Sequence, residues 1–76
     1  MYSILALECK TSGGKQIDKP CVFPFIFKGV KYETCTMKGY TAYWCYTEVD
    51  ANGVGVEGKW GNCGPGCKSN IGKVIV

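Results

Sequence analysis

The sequence predicts a small, disulfide-rich, all-β fold of two short antiparallel hairpins or sheets, with little or no helix. Three observations lead there. At 76 residues the chain buries only ~60% of its unfolded surface, so that burial alone rarely supplies more than ~3–5 kcal/mol. Six of its residues are cysteine, an even number in a short chain, which suits three disulfides formed in an oxidising compartment, with the connectivity left open by the spacing. Helical periodicity of useful length is missing, while β-branched and aromatic runs alternate with glycine turns.

Along the chain, Tyr2–Leu7 is a short apolar run, Thr11–Gly14 is loop-like, and Pro20 ends anything regular before Cys21. The segment CVFPFIF from Cys21 to Phe27 has strand composition, but Pro24 cannot donate to a ladder, so an edge or irregular extended segment is expected. Two-residue alternation puts Phe23, Phe25 and Phe27 on one side, and Phe25 and Phe23 are assigned to the core. Lys28-Gly29 is a turn leading into Val30–Cys35, where Val30, Tyr32 and Thr34 face away from Lys31 and Glu33, so the two segments form a hairpin. A second turn at Lys38-Gly39 precedes Ala42–Val49, read as a further pair of strand segments. Asn52-Gly53 is the strongest hairpin-turn signal, and Gly55, Gly58 and Gly61 predict a loop with little regular structure up to Trp60 and Cys63. One domain over 9–67 results, with 1–8 and 68–76 as flanking strands or linkers.

Composition excludes several classes of function. The 46% hydrophobic and 20% charged fractions are too apolar for a disordered chain, and no apolar run approaches the ~18 residues of a transmembrane segment. Nine lysines against six acidic residues leave a net charge of +3, but the lysines are scattered and Arg and His are missing, so nucleic acid is not an expected partner. Cys63 and Cys67 have the spacing of half a zinc site; without a second close pair or a histidine, disulfides are preferred, and neither metal nor cofactor is expected. Only Glu48 and Asp50 lie close enough to suggest paired carboxylates, and Asp50 reads as turn support with Glu48 solvated, so no enzyme is expected. Met1–Leu7 has no basic start, too short an apolar stretch and no small-residue cleavage site, which suggests a mature or excised form of a secreted protein. The chain has no Asn-x-Ser/Thr sequon.

A longer pattern runs from Cys21-x-x-Pro24-Phe25-x-Phe27 through Cys35, Trp44-Cys45, Asp50 and Trp60 to Cys63. It resembles a fibronectin type II module, a two-disulfide relative of the kringle fold. The resemblance implies bonds Cys21–Cys45 and Cys35–Cys63. It leaves Cys9 and Cys67 outside the module, one on each flank, and they are expected to pair with each other. Tyr2–Leu7 and Lys73–Val76 would then meet as antiparallel strands or, left unpaired, offer edges for self-association.

In that family an exposed shelf of aromatic rings grips extended collagen or gelatin segments, or choline head groups. Such rings offer flat apolar area, stack on proline and attract quaternary ammonium. The resemblance implies a shelf of Phe27, Trp44 and Trp60, with Tyr32, Tyr43 and Tyr46 as neighbours by sequence proximity. Trp44 is expected to be part core and part shelf, and Trp60 to face solvent on a mobile, glycine-rich connection from Asp50. Ala51 and Asn62 stand where the family carries aromatic rings, so two shelf rings are missing. The expected function is a non-catalytic extracellular binding module, an accessory domain of a larger secreted protein. Its expected ligand is an extracellular collagen- or gelatin-like peptide or a phospholipid head group. The alternative is a free-standing secreted effector, either a toxin-like ligand or a protease inhibitor.

Overall fold

A computed structural model of the chain describes residues 9–67. The expected pairing or self-association of Tyr2–Leu7 and Lys73–Val76 lies outside the described residues. Within them the chain is all-β apart from one 3-10 turn at Pro65–Cys67, in two antiparallel sheets. Among the described residues, no helix is long and apolar enough to cross a membrane.

The first hairpin joins β1 (Lys10–Gly13) to β2 (Gln16–Pro20) through Gly14, whose φ of 81° suits glycine. Thr11–Gly14 is therefore largely strand rather than loop, and regular structure runs up to Pro20. The composition concealed it because only one side chain of β1 is buried: Thr11, whose hydroxyl accepts a 3.0 Å hydrogen bond from the Lys19 N–H. This hairpin is a strand pair by virtue of its partner, since β1 also pairs with β6 (Trp60–Cys63) through Thr11 opposite Cys63.

The second hairpin joins β3 (Phe25–Phe27) to β4 (Val30–Tyr32), as expected from Lys28-Gly29. Both turn residues have positive φ, 50° and 81°, the mirror-image turn whose twist matches a two-residue hairpin. The Phe23–Pro24 peptide is cis, and regular alternation begins only at Phe25. Phe23 therefore does not join Phe25 in the core; it remains 37% exposed.

Within Ala42–Val49 a regular strand covers only β5 (Trp44–Tyr46), which pairs with β6 and completes the sheet in the order β2-β1-β6-β5. The approach to Trp60 carries no regular strand, as expected, but the expected loop ends at Trp60, where β6 begins, and the approach is hydrogen-bonded to the chain that leaves β5. Thr47 N–H donates to Lys59 O at 2.8 Å and Val56 N–H to Glu48 O at 3.0 Å, so the β5–β6 connection is a continued hairpin closed by a tight turn at Asp50–Gly53. That turn reaches across to the smaller sheet, where Ile26 N–H donates to Gly53 O and Gly55 N–H to Ile26 O. The glycines that suggested a loop allow close approach instead: a Cβ on Gly61 would overlap the Gln16 carbonyl oxygen, and one on Gly55 would overlap the Tyr46 ring.

Phe25 is wholly buried at the centre, with Tyr32, Trp44 and Tyr46 ring centroids at 5.5, 5.4 and 5.3 Å. The disulfides Cys21–Cys45 and Cys35–Cys63, which the resemblance implied, and Cys9–Cys67, expected from the two cysteines left over, cross beside it. Five of their sulfurs lie within 4.8 Å of one another, but each is already bonded to another sulfur, so this cluster offers no thiolate to a metal.

Candidate functional site

Trp44 begins β5 with its indole buried to 5% exposure, and a buried indole N–H needs an acceptor. The Lys38 carbonyl supplies it at 3.0 Å. Thr36 pairs with Trp44 through two backbone hydrogen bonds, of 2.9 and 3.1 Å, and its hydroxyl accepts from the Lys38 N–H at 3.1 Å. Tyr40 N–H donates to Met37 O, closing the turn around Gly39, whose φ is 75°. The irregular segment between β4 and β5 is thus held against the Trp44 ring.

Above that ring opens a cavity of about 170 Å³. Trp44 is its floor. Phe27, Tyr46 and Trp60 stand around the floor edge to face, with ring centroids at 5.0, 5.0 and 6.4 Å, an arrangement favoured by the ring quadrupoles. Tyr40 meets Trp60 edge to face at 5.1 Å and closes the wall, and Lys38 and Gly39 form the remaining rim. Roughly 150 Å³ of apolar space holds one benzene-sized ring, so this concavity has room for about one cyclic group. Its surface is largely carbon. Burial raises the Tyr46 hydroxyl above its ordinary value of 10.0, with Glu57 adding to the shift, and the phenol is therefore neutral at physiological pH.

Of the six ring residues predicted to bind ligand, Phe27, Trp44, Tyr46 and Trp60 converge on this cavity. Tyr32 does not; it packs against Phe25 in the core. Tyr43 is 50% exposed on a different surface, where it borders a second concavity with Ser12, Asn62 and Pro65. Adjacent residues of an extended segment point to opposite faces, so Trp44 and Tyr43 cannot share a site. Trp60 is half-buried rather than solvent-facing, because its ring stands between Trp44 and Tyr40. Trp44 belongs to the core cluster and also lines the cavity.

Sequence reasoning missed Tyr40, the most exposed of the aromatic walls at 41%. Its signal was present in the need of a buried Trp44 indole for a nearby carbonyl, which the Lys38-Gly39 turn could supply. Neither Ala51 nor Asn62 lines the cavity. Ala51 is exposed on the Asp50 turn, while Asn62 lies against Gly13 and Gly14, its Oδ1 buried without a hydrogen-bond partner.

Comparison with known proteins adds the following. The family model described as Fibronectin type II domain matches residues 21–63. The chain is 39% identical to Matrix metalloproteinase-9 of Canis lupus familiaris over 75% of its own length and 8% of that protein. It is 42% identical to the 72 kDa type IV collagenase of Gallus gallus over 70% of its length and 8% of the relative. It is 43% identical to the Cation-independent mannose-6-phosphate receptor of Homo sapiens over 58% of its length and 2% of the relative. The chain therefore spans less than a tenth of each of these proteins. No solved structure matches.

Proposed function

Because the chain belongs to the fibronectin type II family, we propose that its aromatic cavity captures a proline ring of an extended collagen- or gelatin-like peptide, in an extracellular setting. The observation that carries this reading is the convergence of five aromatic side chains from β3, β5, β6 and the turn before β5 on one cavity of single-ring size. A pyrrolidine is apolar, rigid and fixed in φ, so seating it on flat rings brings contact at little cost in conformational entropy. Rigid walls further limit that cost. The chicken relative is a type IV collagenase, which supports the same ligand class. The role is one of binding and requires no nucleophile or general base.

Titration of the chain with gelatin, followed by tryptophan fluorescence, tests the reading, since Trp44 and Trp60 both border the cavity. Saturable change is expected. Tyr40→Ala should weaken binding by ~10-fold or more, the usual effect of losing an aromatic anchor, while the exposed position of Tyr40 leaves the melting transition nearly in place. No fluorescence response in a chain with all three disulfides intact would defeat the proposal and favour a free-standing effector.

A further inference from the structure

We infer that the aromatic cavity discriminates by charge, taking an uncharged ring from a segment with an acidic side chain beside it and excluding quaternary ammonium groups. This rests on the peptide-binding reading and specifies the ligand further.

The first ground is the rim. Lys38 lines the cavity, and its backbone is held on both sides, by the bond to Thr36 Oγ1 and by the indole of Trp44, so a cationic residue is anchored at the rim. The second is the Phe27 wall. Lys28 Nζ stands 5.5 Å from the Phe27 centroid, so the attraction of that ring for a cation is already used within the chain. Lys28 does this from a φ of 50°, a region where glycine or asparagine sits at lower cost. The turn alone gives no reason for a lysine there.

The lining supplies the third ground. It contains no carboxylate that could balance an incoming cation. Glu57 is the acidic residue that acts on a wall, adding to the raised pKa of Tyr46, yet it does not border the cavity. A trimethylammonium group entering here would meet a rim that carries Lys38 and no carboxylate, and a Phe27 ring already engaged by Lys28. A carboxylate held beside the seated ring would instead be attracted by the exposed Lys38 of the rim and by the exposed Lys28 next to Phe27, and an exposed pair changes affinity by about 1.5- to 5-fold and is weakened by salt.

The test uses the full chain and blocked synthetic peptides of Gly-Pro-Pro repeats carrying a single Glu, Gln or Lys next to a proline. Tetramethylammonium serves as competitor at constant ionic strength, with tryptophan fluorescence as the readout. The Glu peptide is expected to bind ~2- to 5-fold tighter than the Gln peptide in low salt and the Lys peptide more weakly than either, with the differences shrinking at high salt. Lys38→Gln and Lys28→Asn, the latter compatible with the left-handed turn, should each reduce the Glu-over-Gln ratio, and Lys15→Gln in the first hairpin turn should not. Equal binding of all three peptides would overturn the charge inference and leave the peptide reading intact, as would competition by tetramethylammonium. Failure of every peptide to bind would remove both.

Discussion

Replacing Cys9 and Cys67 together by alanine should separate stability from binding. The Cys9–Cys67 bond closes the longest covalent loop, with a sequence separation of 58, against 24 for Cys21–Cys45 and 28 for Cys35–Cys63. In the chain-entropy model, a loop of that length restricts the unfolded state by about 14 cal/mol/K, or ~4 kcal/mol at 25 °C, while the shorter loops give ~3.5 kcal/mol each. For a domain of this size ~4 kcal/mol corresponds to a fall in melting temperature of about 15–30 °C. Neither cysteine borders the aromatic cavity, whose walls come from residues between Phe27 and Trp60. Circular dichroism melts of the parent chain and the double variant measure the first effect, and gelatin titration below both transitions measures the second. A loss below ~1 kcal/mol would show that the unfolded chain is already restricted between these two positions and that loop closure is not the operative effect. Loss of the gelatin response by a still-folded variant would mean that this disulfide shapes the site, contrary to the geometry.

Three further outcomes are expected. Gly55→Ala forces a methyl into the Tyr46 ring, so it should cost ~1–3 kcal/mol in urea unfolding and weaken gelatin binding at the same time, because Tyr46 is a wall. Asp50→Ala removes the acceptor that holds the Asn52 and Val54 N–H groups at 2.8 and 3.0 Å; a loss of ~1 kcal/mol in the urea midpoint is expected, with the gelatin titration unchanged. Since the folded state raises the Tyr46 pKa above 10.0, its contribution to stability is complete below pH 10 and is lost as pH rises through the higher folded value; Tyr46→Phe should flatten that part of a pH series of melts.

What could be read from the sequence depended on side-chain chemistry, and what could not depended on backbone proximity. The hairpin at Lys28-Gly29 and the turn at Asp50–Gly53 were readable because each needs particular residues: φ is positive at Lys28, Gly29 and Gly53, and the Asp50 carboxylate serves as a local acceptor. The strand β6 was not, because its second residue is Gly61. That residue carries no side chain to signal a strand, and its place is set by the approach of Thr11 and Gln16 from the other hairpin. The first hairpin escaped for a related reason, since a polar segment with one buried threonine becomes a strand only when β6 lies beside it. At the site, Phe27, Trp44 and Trp60 followed from the family pattern. Proximity in sequence misled at Tyr43 and Tyr32, since neighbours along a strand face opposite ways and a residue across a hairpin can belong wholly to the core.

The placement of the site follows from the shortage of interior. The chain carries five tyrosines, three phenylalanines and two tryptophans, yet among the described residues Phe25 is the one ring entirely removed from water. The others share burial. Phe27, Tyr46 and Trp60 each present one part to Trp44 or Phe25 and leave another open to the cavity, so the core and the cavity are two sides of a single aromatic cluster. In a larger domain such rings would be covered by another layer. Here the disulfides supply the rigidity that the layer would have supplied, and the rings stay in place while partly wet. On the proposed peptide-binding reading, ligand preference is open to change at the rim. A change at Trp44 disturbs fold and site together, whereas Tyr40, Lys38 and Lys28 lie outside the buried core and can vary the ligand with little effect on the framework.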